Sequence, residues 1–222
     1  MTIDKVYKIV SYLVDKYQGT YLSPDDFNMV INMAQNQYLS FLTDDTGGPN
    51  RNPKNPVGMS TSAIIADTLS GFLIESTLTI TSQTASKPAN LYKTVAIRTV
   101  DDDYAVRYVS EDKISSFVGN AIDAPSSTEP IYYEIGANYK FYPSTLTTAK
   151  LSYIRNPSEL KWAYTGALVY DAANSLPAAN ADIEWAESDL YEIIYRAIGI
   201  IGINLKDGDL VRASQFIKND GL

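Results

Sequence analysis

The sequence predicts an α+β protein: a helical bundle built from the N- and C-terminal segments, with a mostly antiparallel β domain inserted between them. Three observations predict it. Apolar residues recur at helical spacing near both ends of the 222-residue chain. The period switches to two through the middle. The connections between the strand-like runs are short, which favours antiparallel pairing over parallel crossovers. On this reading residues 1–73 and 186–222 form the bundle and residues 74–185 the β-rich insertion.

The elements follow in order. Ile3, Val6, Ile9, Val10, Leu13, Val14 and Tyr17 form one helical stripe, with Asp4, Lys8, Ser11 and Asp15 on the opposite face and Gly19 as a stop. Ser23-Pro24-Asp25-Asp26 starts a second helix. Serine accepts from the orphan amides, proline fits the first helical position, and two carboxylates meet the positive end of the dipole. Its buried stripe is Phe27, Val30, Ile31, Ala34, Tyr38, Phe41 and Leu42. The short connection makes these two helices an antiparallel pair. The Gly-, Pro- and Asn-rich stretch 44–60 is a long loop, because neither a helix nor a central strand tolerates it. Ile64, Ile65, Leu69, Phe72 and Leu73 then return to helical spacing.

From Glu75 onward Leu78 and Ile80 alternate with threonines. Further strands are predicted at Leu91–Thr99, Tyr104–Val109, Pro130–Ile135, Tyr139–Tyr142 and Ala149–Arg155. Gly136-Ala137-Asn138 reads as a hairpin turn, and Ser110–Phe117 as a short helix capped by Ser110. Leu190, Ile193, Ile194, Ala197, Ile198 and Ile201 mark a long helix over 187–204, weakened by Gly199 and Gly202. A last helix is predicted over Leu210–Lys218.

Composition removes several chemistries. The chain has neither Cys nor His, so disulfides, thiolate nucleophiles, zinc–thiolate centres and every His-dependent dyad are excluded. With 18 Lys and Arg against 26 Asp and Glu, the net charge is -8, unlike the basic face of a nucleic-acid coat. The run of alternating charge near the N-terminus does not read as a secretory signal. The longest apolar run, Ala197–Ile203, is far short of the ~20 residues a membrane span needs.

The polar motifs have plain structural readings. Asp101-Asp102-Asp103 is a polar hairpin turn, since alternate side chains on extended backbone diverge from a common cation. Asp207-Gly208-Asp209 lacks the remaining ligands of a calcium loop and reads as an interhelical turn. Gly199-x-x-Gly202 sits inside an apolar helix, without the basic residues of an RNA-binding loop, and permits close packing. No catalytic, cofactor or metal-binding residue is predicted.

Tyrosine is the outlier, with 17 residues against 6 Phe and 2 Trp. Tyr132 and Tyr133 are adjacent on a strand and point to opposite faces, so at least one faces outward or a further layer. Tyrosine joins large contact area to a polar tip. Tyr132, Tyr133, Tyr142, Trp162 and Trp185 are therefore the candidate subunit-interface residues. Cross-strand core packing explains the same residues equally well.

The C-terminal half carries a recognisable cadence: Pro130-Ile131-Tyr132-Tyr133, Tyr139-Lys140-Phe141-Tyr142-Pro143, Leu151-Ser152-Tyr153-Ile154-Arg155-Asn156-Pro157, Trp162, and Asp182-Ile183-Glu184-Trp185 leading into the long helix. With the N-terminal helices, this resembles the head–tail connector proteins of short-tailed bacteriophages, in particular the ring (adaptor, or tail-tubular) proteins of the crAss-like group. The resemblance implies a structural virion protein without enzymatic activity or cofactor. It implies a homo-oligomeric ring, commonly twelve-fold, that assembles in the host cytoplasm and joins portal to tail. Its partners would be the portal, adjacent ring or tail proteins, and genomic DNA touched non-specifically in the lumen. A negative chain suits a channel along which DNA must slide.

Two readings from other classes stand beside it. A β-rich carbohydrate- or receptor-binding module would use exposed tyrosines with Trp162 or Trp185 as stacking platforms, but has little need of so much helix. An enzyme working through carboxylates and a metal would need a fuller set of acids than the spacing offers.

Overall fold

The computed structural model describes residues 1–18, 21–43, 68–101, 104–119, 124–166, 168–178 and 181–204. The chain divides into two compact units, one from residues 1–71 and 157–222, the other from residues 72–156.

In the first unit, helix α1 spans Ile3–Gln18 and helix α2 spans Pro24–Thr43. On α1, Ile3, Val6, Val10 and Val14 form a fully buried stripe, the spacing that keeps side chains on one helical face. The start of α2 is built as its residues dictate. Ser23 Oγ accepts from the Asp26 amide at 3.1 Å and donates to the Asp26 carboxylate. Phe27, Val30, Ile31, Ala34, Tyr38, Leu39 and Leu42 are buried along it. The C-terminal helix of the described residues, Glu187–Asn204, buries Leu190, Ile193, Ile194, Ala197, Ile198 and Ile201. It packs on both α2 and α1, and its contact with α2 is the more extensive.

The second unit holds two sheets. The first has the order β1 (Leu73–Thr79), β7 (Thr148–Arg155), β3 (Leu91–Arg98). Both pairings are antiparallel, and the β3 edge is irregular at Tyr92 and Val95. The second has the order β2 (Thr84–Ser86), β6 (Asn138–Tyr142), β5 (Ile131–Ile135), β4 (Arg107–Tyr108). Leu78, Ile97, Ala149, Leu151 and Tyr153 from one sheet meet Ala85, Tyr132, Tyr139 and Phe141 from the other in a single apolar cluster. That interleaving is the core of a sheet-on-sheet sandwich. A second cluster lies on the other face of β5, where Ile131 and Tyr133 pack with Val109 and with Ile114 of the short helix α3 (Ile114–Val118). We label the helix Glu187–Asn204 α4.

The expected bundle of terminal helices is corrected by this structure. The protein is mixed α/β: helices occur along the chain, including α3 within the sheet-forming stretch, and two sheets account for much of the order. The physical reason lies in residues 157–186, which contain no helix among the described residues. They lie with the helical unit, and their first part, residues 158–162, runs along α2, where a bundle would seat another helix. The sheets depart from expectation too. β4 pairs parallel to β5, with Arg107 opposite Ile131 and Tyr108 opposite Tyr132. The connection 109–130 is long enough for that crossover. Strand β2 was not anticipated, nor was its entry turn at Ser82 and Gln83, whose φ angles are 50° and 66°. Thr81 and Thr84 exchange both backbone hydrogen bonds across it, at 2.9 and 3.0 Å, so this is a type I′ hairpin made without glycine.

Of the helix expected over 60–73, residues 68–70 are helical and Leu73 already begins β1. Residues 60–67 of that stretch, the long loop 44–60, the turn at Asp207 and the last helix 210–218 lie outside the described residues, as do Asp102 and Asp103.

Candidate assembly surface

Residues 158–162 are extended beside α2, and the Ser158 carbonyl and the backbones of Leu160 and Trp162 bond to helix side chains. Asn28 donates to the Trp162 carbonyl at 3.1 Å and accepts from its amide at 2.7 Å. Asn32 donates to the Leu160 carbonyl at 2.7 Å and accepts from its amide at 2.9 Å. Gln35 donates to the Ser158 carbonyl at 3.1 Å and to Asn32 Oδ1 at 2.8 Å. The spacings match. Four helical residues advance about 6 Å, and two extended residues advance about 6.7 Å. Carboxamides one turn apart can thus meet alternate residues of an extended chain, each supplying one donor and one acceptor.

Beyond this ladder the segment folds back as a hairpin. Lys161 bridges Leu176, and Tyr164 bridges Tyr170. Asp171 closes the returning arm by accepting from the Ala173 and Asn174 amides, while Ser175 Oγ accepts from the Ala163 amide at 2.9 Å. At the tip, the Leu168 amide donates to the Thr165 carbonyl at 2.8 Å and Leu168 takes φ 58°. An aromatic stack anchors the hairpin. The Trp162 ring lies 4.0 Å from Tyr7 of α1 at 18°, and stacks at 5.7 Å on Tyr170 and 6.1 Å on Tyr164. Its indole N–H donates to Asp4 at 3.2 Å.

At the hairpin's base is a cavity of about 280 Å³. Leu160, Leu176, Pro177, Ile183 and Trp185 supply its apolar wall, and Glu159 and Glu184 stand on its lining. Glu184 is held by Ser158, which donates through Oγ at 2.7 Å and through its amide at 3.2 Å.

The five candidate interface residues are placed as follows. Tyr132, Tyr133, Trp162 and Trp185 are each no more than 7 % exposed, and Tyr142 is half-buried. Tyr132 faces the inter-sheet core, where it meets Tyr139 edge-on at 5.8 Å. Tyr133 and Tyr142 pack in the cluster around Ile131. Trp185 tilts against Tyr38 at 5.3 Å and donates to Gln35 at 3.4 Å. Buried rings offer no flat face to a sugar or a neighbour, so these four side chains serve their own units. The two tyrosines use opposite faces of β5 as strand geometry requires, and α3 is the further layer that covers Tyr133.

The large apolar side chains that do reach solvent are others. Met29 and Met33, one turn apart on α2, are 52 % and 45 % exposed. Leu168 and Val169 at the hairpin tip are 51 % and 60 % exposed. Exposed methionine is adaptable contact surface, and Leu168 and Val169 place two adjacent aliphatic side chains together at a loop tip. Sequence reading missed Asn28, Asn32 and Gln35, although three carboxamides at i, i+4 and i+7 were a signal available in the sequence.

Several phenols and carboxylates are shifted. Burial pushes the phenols of Tyr7 and Tyr139 up, and that of Tyr132 up to about 12. Burial and then the hydrogen bond to Asp189 push Tyr38 up further. The Asp25 carboxylate raises Tyr164. Hydrogen bonds from Ser110 and from Asn174 lower Asp112 and Asp171. Each of these shifts moves its group away from neutrality, whereas a general acid or base is tuned toward it. Among the described residues, no group of three or more acids is placed to hold a metal ion, and no helix is long and apolar enough to cross a membrane. No protein-family model matches this chain, and no curated protein matches it at a significant level.

Proposed function

We propose that this chain is a structural virion protein: a subunit of a ring in the head–tail connector of a short-tailed, crAss-like phage, joining portal to tail with DNA in the lumen. The observation that carries the reading is the exposed apolar hairpin tip, Leu168 and Val169, held on a rigid base of stacked rings and paired arms. A side chain kept in water on a stiff support is a contact waiting for a partner. Leu168 accepts a left-handed backbone there, a cost proteins bear at functional positions. The sequence cadence around Tyr132–Tyr142 and Tyr153–Pro157 supplies the family, and the net charge of -8 suits a passage that repels DNA enough to let it slide. On this reading the virion is where the protein acts, and the ring is homo-oligomeric.

Mass photometry tests the proposal, on the purified chain alone and then with portal-containing particles. The expected result is a discrete species about twelve times the 24.5 kDa chain, or co-sedimentation with the portal. A strict monomer that ignores the portal overturns it.

A further inference from the structure

The hairpin carries two apolar features that are complementary and cannot meet within one subunit. Its tip presents Leu168 and Val169, half or more exposed. Its base opens into the cavity walled by Leu160, Leu176, Pro177, Ile183 and Trp185. The arms between them are bridged at Lys161–Leu176 and Tyr164–Tyr170, three residues apart on the outgoing arm, or roughly 10 Å of extended chain, so tip and base lie at opposite ends of the hairpin. We propose that the tip of one copy seats Leu168 and Val169 in the cavity of the next copy. This rests on the ring reading above and names the contact that builds the ring.

Size and charge favour a second copy as occupant. An apolar cavity of roughly 150 Å³ accommodates benzene, so about 280 Å³ has room for two aliphatic side chains. The tip residues Thr165, Gly166, Leu168 and Val169 are uncharged, so they meet Glu159 and Glu184 on the cavity lining without repulsion. A phosphate, a nucleic acid or an anionic membrane would be repelled by the same pair. The left-handed φ of 58° at Leu168 would suit glycine or asparagine better. Keeping leucine there, with its side chain in solvent, is intelligible if a partner receives it. Because tip and cavity are different surfaces, the contact is heterologous. It leaves one free tip and one free cavity on every growing assembly until the rotation closes a ring.

The absence of cysteine from the chain makes the test clean. The full-length double variant Val169→Cys/Glu159→Cys puts one thiol on the tip and one on the cavity rim, both at exposed positions. After mild oxidation, a non-reducing gel should show a ladder of covalent oligomers. Each single-cysteine variant should give no more than a faint dimer, and adding Leu168→Asp to the double variant should abolish the ladder while its circular dichroism stays unchanged. A double variant that remains monomeric overturns the inference and leaves the ring reading to mass photometry. A strong dimer from Val169→Cys alone also overturns it, since that is a tip-to-tip contact. A ladder that runs on without a terminal size keeps the contact and overturns the closed ring.

Discussion

Replacing Asn32 by alanine tests the carboxamide ladder directly. Its side chain makes both hydrogen bonds available to the backbone of Leu160, at 2.7 and 2.9 Å, and Leu160 itself is 3 % exposed. Truncation therefore removes the two hydrogen bonds to Leu160, together with those to the Asn28 carbonyl and from Gln35, and strands a buried donor and acceptor. At about 1 kcal/mol net per bond, with a further penalty for unsatisfied groups, the expected loss is about 2–4 kcal/mol. For a chain of this length each kcal/mol is about 2–4 °C, so the melting temperature should fall by roughly 5–15 °C. Urea unfolding followed by tryptophan fluorescence gives the free energy. Amide exchange at Leu160 and Trp162 gives the location, and Leu160 should lose protection first. Asn28→Ala should act in the same direction on Trp162, and the double variant should be non-additive because both side chains hold the same short extended segment. A change below about 0.5 kcal/mol in Asn32→Ala, with the Leu160 amide still protected, would refute the idea that α2 holds this segment.

Two further outcomes are expected. Replacing Ser82-Gln83 by Asn-Gly should stabilise the fold by about 1 kcal/mol, because both positions have positive φ and that dipeptide is the preferred type I′ pair; thermal denaturation checks it, and a lower melting temperature would refute the turn assignment. Stability should also fall with rising pH between about 10 and 12. The unfolded tyrosines ionise near 10, while burial holds Tyr132 protonated until about 12, so the unfolded state binds fewer protons across that window and is favoured as pH rises; the loss is about 1.4 kcal/mol per pH unit for this group. Urea midpoints measured alongside tyrosinate absorbance will show it, and a flat profile would mean that Tyr132 is not buried in solution.

Local chemistry could be read from the residues alone. The Ser23 cap, the apolar stripes of α1 and α2, the alternation through β6 and β7, and the turn at Gly136 with its φ of 55° all depend on interactions within a few residues, so the pattern carries the answer. The statement that Tyr132 and Tyr133 face opposite ways is of the same kind, since it follows from the strand's period. Which layers they face is not. Tyr132 joined the inter-sheet core and Tyr133 met α3 because the two sheets and a crossover helix pack there, and no local spacing encodes that. Asn28, Asn32 and Gln35 look like an ordinary polar helix face until an extended segment more than a hundred residues away is laid beside them. The bundle expected from the terminal helices failed at this place: the face of α2 that another helix would have taken is occupied by residues 158–162. The burial of Trp162 and Trp185, the exposure of Leu168 and the cavity at the hairpin base follow from that long-range choice. Periodicity reports which face of an element is apolar, and only packing determines what covers it.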